Sequence, residues 1–177
     1  MEAVNILAAD FSMQGKPAIR ESGRSKWEQG RYIPKNPSKY LGNPSEIYFR
    51  SSWEKKFSHW CDTNSIVAAW GSEELVIPYL HPDGRYHDYF TDYIVWFRTP
   101  NGTMKCVVEI KPSAECRPPK PPKRGNGRAY LERCRTFEIN QQKWKYARAW
   151  CRQHGYGFII LTEKELEKQP ARRRKTA

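Results

Sequence analysis

The stretch that decides the fold is YFTDYIVWF, residues 89–97, which is followed at residues 107–111 by VVEIK. Both stretches are rich in β-branched and aromatic residues, and an Asn-Gly dipeptide between them is typical of a hairpin turn. We therefore expect two neighbouring strands. Alternation along the first strand places Asp92 on the same face as Ile94 and Trp96. A carboxylate on so apolar a face requires a cation, a hydrogen-bond network or a raised pKa.

Glu109 and Lys111 lie two residues apart on the second strand, so both side chains share one face and meet Asp92 there. Val107 makes this face apolar as well. Carboxylate, carbonyl and water oxygens are the ligands that Mg²⁺ and Mn²⁺ prefer. The residues predict a divalent-metal site for phosphodiester hydrolysis, in which the metal polarises the phosphate and binds the attacking water. The lysine orients that water or helps to deprotonate it.

The other elements are predicted from capping and periodicity. Ser51-Ser52-Trp53-Glu54 is a capping-box pattern with apolar residues at helical spacing behind it, which predicts an amphipathic helix over about residues 52–62. We then expect a meander of three strands, a helix, a buried strand and a short helix opened by a second capping box, over about residues 74–80, 86–98, 104–111, 130–153, 157–161 and from Thr162 onward. This order of elements predicts the α/β class.

The length of 177 residues suits one domain with tails. Residues 1–30 mix Gly, Ser, Lys and Gln with few periodic apolar residues, so we expect a flexible arm. A single domain is expected over residues 31–168. It contains a basic, proline-rich loop at 111–128, which we expect to be extended rather than packed. A basic tail follows at residues 169–177.

The charge of the chain predicts an acidic partner. There are 31 Lys and Arg residues against 19 Asp and Glu residues, a formal net charge of +12, and nucleic acid is the first candidate for such a protein. No apolar run approaches the ~18 residues that cross a bilayer, and the first ten residues lack the features of a secretory signal, so we expect neither membrane insertion nor export. Five cysteines without a CxxC pair indicate reduced thiols in a cytosol-like compartment.

Basic residues outside the acidic cluster are the predicted DNA contacts. Lysine and arginine bind phosphates, and the affinity they add falls steeply with salt. The expected DNA-binding residues lie in the loop, on the second helix and in the tail: Lys120, Lys123, Arg124, Arg128, Lys143, Arg172, Arg173 and Arg174. For Lys143, an ordinary place on the helix surface is an equally good interpretation.

The acidic cluster also matches the pattern of a known superfamily. An Asp, sixteen intervening residues and Glu-x-Lys, preceded by the helical Glu54, resembles the PD-(D/E)XK nucleases with their αβββαβ core. Within that superfamily the chain is similar to the TnsA-type endonuclease domain and, more closely, to the head completion nucleases of T-even-type tailed phages. The similarity runs roughly from Arg31 to Leu166 and rests on ordered segments such as VAAWGSEELVIPY, YHDYFTDYIVWF, VVEIKP and WCRQHGYGFIILTEKEL. One departure is Thr91, which stands where the superfamily name has Pro.

The resemblance implies a restriction-endonuclease-like fold, in which helices flank a mixed sheet, and DNA cleavage that depends on Mg²⁺ or Mn²⁺. The residues that it assigns to the metal are Glu54, Asp92, Glu109 and, through its carbonyl, Ile110. Lys111 then positions the attacking water. In such relatives the substrate is packaged phage DNA, which is cleaved when heads are finished for tail joining. The resemblance therefore implies assembly in the host cytoplasm, with portal or neck proteins as partners and retention in the virion head or neck as a further option.

Alternatives to the nuclease interpretation stay open. Glu54 lies three residues after Ser51, so its carboxylate also suits the capping box. Alternatively, the protein is a structural neck or connector protein that binds DNA ends without cutting them. In that case Asp92 and Glu109 can be replaced without loss of function. A third alternative keeps the nuclease but assigns it to transposon-end or restriction cleavage, for which a second domain would be expected.

Three further polar residues lie near the predicted site. Asp88 is four residues before Asp92, and we expect a solvated position at the start of the strand rather than a second acidic contact. His81 and His87 flank the Asp83-Gly84 turn, where exposed histidines are common. We therefore assign none of the three to the site.

Overall fold

The computed structural model describes residues 28–123 and 127–167. Within these residues a four-stranded sheet is flanked by helices, and a separate two-stranded hairpin packs beside it. In chain order the elements are β1 (Gly30–Arg31), a 3₁₀ helix (Pro37–Lys39), β2 (Tyr48–Phe49), α1 (Ser52–Thr63), β3 (Val67–Ser72), β4 (Val76–Leu80), β5 (Tyr86–Phe90), β6 (Tyr93–Thr99), β7 (Gly102–Ile110), α2 (Gly127–His154), β8 (Gly157–Leu161) and α3 (Glu163–Leu166).

The central sheet has the strand order β3-β6-β7-β8. Strands β3, β6 and β7 pair antiparallel, whereas β7 and β8 pair parallel, because the long helix α2 connects them and returns the chain to the same end of the sheet. The order α1, three strands, α2 and β8 is the αβββαβ arrangement. This confirms the predicted α/β class with a mixed sheet.

The predicted meander of residues 74–80, 86–98 and 104–111 is wrong in two of its strands. The first strand of the sheet is β3, which the sequence analysis missed because its VAAWGS stretch contains two alanines and a glycine. The predicted strand 86–98 is broken at Thr91 and Asp92 into β5 and β6. Strands β4 and β5 pair with each other in the separate hairpin.

The break has a clear hydrogen-bond cause. Thr91 is fully buried, and both its amide, at 2.9 Å, and its hydroxyl, at 3.1 Å, donate to the carbonyl of Leu75. The next carbonyl, that of Asp92, accepts from the amide of Glu73 at 3.2 Å. The chain therefore leaves its pairing with β4 at Thr91 and joins β3 from Tyr93 onward.

Two apolar cores lie on opposite faces of the sheet. One packs α1 against alternate residues of β6 and β7, such as Val95 and Val108. The other packs α2 and the β4–β5 hairpin against the intervening residues, such as Ile94 and Val107. Because successive side chains of a strand point to opposite faces, Glu109 shares the α2 face with Val107. This alternation is what aims the predicted site residues at the α2 side.

Helix α1 is anchored at both ends by polar contacts. At its start the hydroxyl of Ser51 accepts from the amide of Glu54 at 3.2 Å, as the capping-box pattern predicted. At its end the ammonium of Lys39 donates to the carbonyls of Cys61, Asp62 and Asn64, at 3.2, 2.9 and 2.8 Å. A cation on the last carbonyls suits the negative end of the helix dipole.

The remaining predicted elements are present with small shifts at their ends, but β8 is partly exposed rather than buried as predicted, because it is the edge strand of the sheet. Helix α2 spans Gly127–His154, β8 spans Gly157–Leu161, and Thr162 forms the expected capping box with Glu165. None of the helices within the described ranges is long and apolar enough to cross a membrane. Residues 1–27 of the predicted arm and the whole predicted tail lie outside the described residues.

The first half of the basic loop packs against two helices, whereas the sequence predicted an unpacked loop. The amide of Ser113 donates to Glu163 at 2.9 Å, and the side-chain amide of Asn140 donates to Glu115 at 3.2 Å. These carboxylates tie residues near the end of β7 to α3 and α2. The prediction of an exposed segment holds only for the later part of the loop, which includes Lys120 and Lys123.

We predict that Asp62 is a main polar anchor of the fold. Its buried carboxylate accepts from the hydroxyl of Tyr32 at 3.0 Å and from the amides of Lys35 and Asn36 at 2.7 and 2.9 Å. Asp62→Ala leaves these donors unpaired, so the free energy of unfolding should fall by about 2 to 4 kcal/mol in urea denaturation. The exposed Asp88→Ala is the matched control and should change it by less than about 0.5 kcal/mol.

The same anchor predicts a pH dependence. Burial alone would raise the pKa of Asp62, but the two amides and the two side-chain hydrogen bonds lower it below its usual value. The contribution of the carboxylate is therefore complete above the unfolded pKa of about 3.9 and is lost as the pH falls through the lower folded value. Equal acid sensitivity of the wild type and Asp62→Asn would contradict this role.

Candidate active site

The candidate site lies where β6 begins and β7 ends. Tyr93 pairs with Val108 in the antiparallel register, so Asp92 and Glu109, one residue further along each strand, come together at this end. Glu109 is almost completely enclosed, with 1% of its surface exposed. Lys111 directly follows β7. The structure thus brings together three residues that the sequence pattern placed on one face.

The ammonium of Lys111 lies between the two carboxylates. Its Nζ is 2.9 Å from Oε1 of Glu109 and 3.5 Å from Oδ2 of Asp92. The same Oδ2 accepts from the backbone amide of Ile110 at 2.8 Å. Ile110 therefore contacts the site through its N–H group, and this contact fixes the orientation of the Asp92 side chain.

Tyr89 is a site residue that sequence reasoning missed. Its hydroxyl donates to Oε2 of Glu109, so the hairpin holds the far oxygen of the buried carboxylate. Its ring also lies 5.4 Å from Nζ of Lys143, which approaches the ring of Tyr79 at 5.7 Å. Tyr89 is a buried residue of β5. No spacing in the sequence linked it to Glu109.

The electrostatics of the site reflect two carboxylates held close together. Burial raises the pKa of Asp92, and repulsion from Glu109 raises it further, against the opposing effects of Lys111 and the Ile110 amide. Burial lowers the pKa of Lys111, but attraction to both carboxylates outweighs it and raises the pKa overall. Lys111 is therefore a firmly protonated cation at neutral pH.

Lys143 responds differently from Lys111. Burial lowers the pKa of Lys143, and the neighbouring charge of Lys111 lowers it further, while Glu109 and Asp92 oppose the shift. The side chain is half-buried on the site side of α2. The structure thus places this predicted DNA-binding residue near the charges of Glu109, Lys111 and Asp92 rather than on the open surface of the helix.

Glu54 lies at the edge of this cluster and bonds to the two residues that precede α1, with the amide of Arg50 rather than that of Ser51 as the backbone donor. Its Oε1 accepts from the hydroxyl of Ser51 at 3.0 Å and its Oε2 accepts from the amide of Arg50 at 2.7 Å. Burial raises the pKa of Glu54, whereas these hydrogen bonds and the charge of Lys111 lower it. Among the described residues, the carboxylates of Glu54, Asp92 and Glu109 do not form a group with all ligand atoms within 4.8 Å. Both roles considered for Glu54 remain compatible with this position.

A second contact at the edge of the site was also missed. Glu73 has a left-handed backbone, with φ 56°, which is uncommon for a side chain of this kind. Its amide donates to the Asp92 carbonyl. Its carboxylate accepts from Nε of Arg50 at 2.9 Å and from Nη2 of Arg50 at 3.2 Å. Strained backbone of this kind clusters at functional sites. No sequence pattern signalled this contact.

The donor set fits a divalent metal. Asp92 and Glu109 supply carboxylate oxygens, the ligand type that Mg²⁺ and Mn²⁺ prefer, and the repulsion between these groups is relieved by a cation. Nothing softer, such as a thiol or imidazole, contacts either carboxylate through a described hydrogen bond or ion pair. The site is therefore chemically suited to the metal that the sequence analysis expected.

The other predicted residues are spread around this centre. Lys120 and Lys123 are exposed in the loop, and Arg128 is exposed at the start of α2, with its Nε 3.6 Å from Glu132. Asp88 is exposed on β5 and, as expected, has no place in the cluster. The predicted DNA contacts Arg124, Arg172, Arg173 and Arg174 lie outside the described residues.

We predict that Asp92 lowers the stability of the folded protein progressively as the pH rises from about 4 to about 8, in a buffer that contains a metal chelator. Its folded pKa is raised to about 8 from an ordinary value of about 3.9, so stability is lost as the pH rises through this window. Asp92→Asn removes the titrating group, and its Tm relative to the wild type should therefore rise between about pH 5 and about pH 8. Parallel Tm curves for the two proteins would count against the buried, repelled carboxylate.

Comparison with known proteins agrees with this geometry. Residues 64–163, more than half of the chain, match the family of TnsA-like endonuclease N-terminal domains. The match contains Asp92, Glu109 and Lys111 but not Glu54. The chain is also 40% identical over 141 residues to the head completion nuclease of Enterobacteria phage T4, which covers 77% of this chain and 92% of that protein. The resemblance drawn from the Asp and Glu-x-Lys pattern is thus confirmed, and the chain belongs to the TnsA-like endonuclease family.

Proposed function

We propose that this protein is a phage head completion nuclease, a metal-dependent DNA endonuclease of the PD-(D/E)XK type. It would trim or cleave packaged DNA so that the head can join its tail. The observation that carries the proposal is the buried Glu109 carboxylate beside Asp92 and Lys111, in a chain closely similar to a head completion nuclease. An almost fully enclosed carboxylate with a second one beside it is costly for a purely structural protein.

Asp92 and Glu109 are the proposed metal ligands, with Glu54 and the carbonyl of Ile110 completing the set. Bound Mg²⁺ or Mn²⁺ would polarise the phosphate and make its water ligand a better nucleophile. The Tyr89 hydroxyl holds Oε2 of Glu109, which fixes the rotamer of the carboxylate before substrate arrives. The Ile110 amide does the same for Asp92. The ligands are thus preorganised by hydrogen bonds from two different strands.

Lys111 is proposed to orient the attacking water and to stabilise negative charge on the phosphate. Its raised pKa keeps the ammonium protonated, so it acts as a hydrogen-bond donor rather than as the base. This direction supports the role of orienting the water over that of deprotonating it. Its position 2.9 Å from Glu109 keeps the ammonium at the reacting centre.

DNA is the proposed substrate, and the charge of the chain supports this. A formal net charge of +12 attracts a polyanion, and Lys120 and Lys123 present two exposed cations in the loop that follows the site. We further propose that the protein acts in the host cytoplasm during virion assembly, with portal or neck proteins as partners and later retention in the head or neck.

Cleavage assays test the proposal. With Mg²⁺ or Mn²⁺, the wild type should nick supercoiled plasmid or cut single-stranded circular DNA. Asp92→Ala and Lys111→Ala should lose at least about a hundredfold in rate while they retain DNA binding, because they remove charge at the reacting centre rather than binding surface. Asp88→Ala, an exposed acid four residues away, is the matched control and should cleave normally.

The same assay tests the rival function. If the wild type cuts neither substrate with either metal but binds DNA in a salt-sensitive manner, the protein is a structural neck or connector protein. Full activity of Asp92→Ala would likewise remove the proposed metal site.

The loop cations predict a measurable part of the DNA affinity. The double variant Lys120→Gln, Lys123→Gln should bind duplex DNA more weakly, and the slope of log affinity against log salt should become shallower by about 2 because two phosphate contacts are lost. Fluorescence anisotropy over a salt series measures both quantities. Lys56→Gln, an exposed lysine on α1, is the control. An identical slope for the double variant and the wild type would exclude the loop from the DNA interface.

A further inference from the structure

A second cluster of ligand-type side chains lies at the tip of the β4–β5 hairpin, in the turn from His81 to His87. His81 follows β4, His87 belongs to β5, and Asp83 lies in the turn between them. The ligand atoms of these three residues all lie within 4.8 Å of one another. Within residues 28–123 and 127–167, it is the one group of three His, Cys, Asp or Glu side chains whose ligand atoms lie this close together. The cluster shares no residue with the nuclease site.

The distances suit a transition metal. Nδ1 of His81 lies 3.0 Å from Oδ1 of Asp83, and Nε2 of His87 lies 2.9 Å from Oδ2 of the same carboxylate. Ligands bound to one tetrahedral Zn²⁺ at about 2.0 to 2.2 Å lie about 3.3 to 3.5 Å apart. Small side-chain rotations therefore bring all three groups onto one ion.

The contacts at His81 bring a ring nitrogen and a carboxylate oxygen to the same point. Nδ1 of His81 lies 3.2 Å from the amide nitrogen of Asp83 and faces Oδ1 of the Asp83 carboxylate. A ring proton on this nitrogen satisfies the pair when no metal is bound. A bound metal would replace that proton and take both groups as ligands.

The turn holds the carboxylate and the rings in place. The amide of Arg85 donates to Oδ1 of Asp83 at 2.9 Å, which holds the carboxylate in one orientation. The ring of Tyr79 lies 6.1 Å from that of His81 and 6.2 Å from that of His87, and the two imidazoles are 4.4 Å apart. Both imidazoles therefore lie against one aromatic neighbour.

We propose that His81, Asp83 and His87 form a second metal site, which binds Zn²⁺ or a similar transition-metal ion with water in the remaining position. Two imidazoles and one carboxylate favour such ions over Mg²⁺, which prefers oxygen ligands. The site would clamp the free end of the hairpin. The same hairpin carries Tyr79 and Tyr89, whose rings meet edge to face at 6.4 Å, and Tyr89 holds Glu109. Clamping the tip would therefore rigidify an element that supports the nuclease site.

Calorimetric titration of Zn²⁺ into the full chain tests the proposal, with millimolar Mg²⁺ present to occupy sites built from oxygen ligands. The wild type should bind one Zn²⁺ with an affinity that His81→Ala, His87→Ala and Asp83→Asn each lower by about tenfold or more. His59→Ala, which removes an exposed histidine on α1, is the matched control and should bind as the wild type does. Zn²⁺ should also raise the Tm of the wild type and of the control by a few degrees, but not that of the three variants.

Nuclear magnetic resonance of the histidine ring nitrogens avoids any dependence on how the variants fold. In the wild type, Zn²⁺ should shift the ring signals of two histidines, which the His81→Ala and His87→Ala spectra assign, and leave those of His59 and His154 in place. Unchanged signals of His81 and His87 at saturating Zn²⁺, or equal Zn²⁺ affinity in the wild type and the three variants, would overturn the proposal. Because no nuclease residue is altered, a negative cleavage assay would leave this result unaffected.

Discussion

The buried carboxylate of Glu109 is the constraint on which this end of the structure depends. A carboxylate with 1% of its surface exposed is stable only when each oxygen has a partner. One oxygen accepts from the Tyr89 hydroxyl and the other contacts the Lys111 ammonium. These partners come from different parts of the fold, since Tyr89 lies on the hairpin and Lys111 follows the central strand β7. The hairpin and the sheet are thus joined through one acidic side chain.

The break at Thr91 is what makes this arrangement possible. In a continuous strand, Tyr89 would remain in the ladder of β6 and its hydroxyl would point away from Glu109, which lies on a neighbouring strand. Because Thr91 donates two hydrogen bonds to the carbonyl of Leu75, β5 pairs with β4 and is not part of the central sheet. Asp92 then lies at the junction between the two sheets, with one backbone contact to Glu73 and one side-chain contact to Ile110. The same residue therefore marks the topological break and supplies an acidic group of the site.

Sequence patterns predicted the parts of the fold that depend on local rules. Capping residues located α1 and α3, alternation placed Glu109 and Lys111 on one face, and an apolar run located the strand β8 but not its parallel pairing. Strand β3 was missed because the small residues of VAAWGS give a weak strand signal, and the break at Thr91 was missed because it depends on long-range pairing. A buried threonine hydroxyl bonding to a carbonyl sixteen residues away leaves no periodic signal. Nor does the hydrogen bond from Tyr89, whose partner is twenty residues away.

The site shows the same division between local and long-range information. Asp92, Glu109 and Lys111 could be grouped because two strands joined by a short turn have a predictable register. Lys143 on α2 and Glu54 on α1 also lie close enough to interact electrostatically with Lys111, and neither approach follows from a repeating pattern. The contacts of Glu54 also show why a capping box and a metal ligand cannot be told apart in sequence: one residue type at one position serves both.

Anomalous diffraction from crystals soaked in Mn²⁺ would test most directly whether Asp92 and Glu109 bind a divalent metal. The account predicts one strong anomalous peak in direct contact with carboxylate oxygens of both residues, and its loss in crystals of Asp92→Ala. A peak that contacts neither residue at saturating Mn²⁺, or an ammonium of Lys111 that still bridges the two carboxylates with no ion beside them, would contradict it.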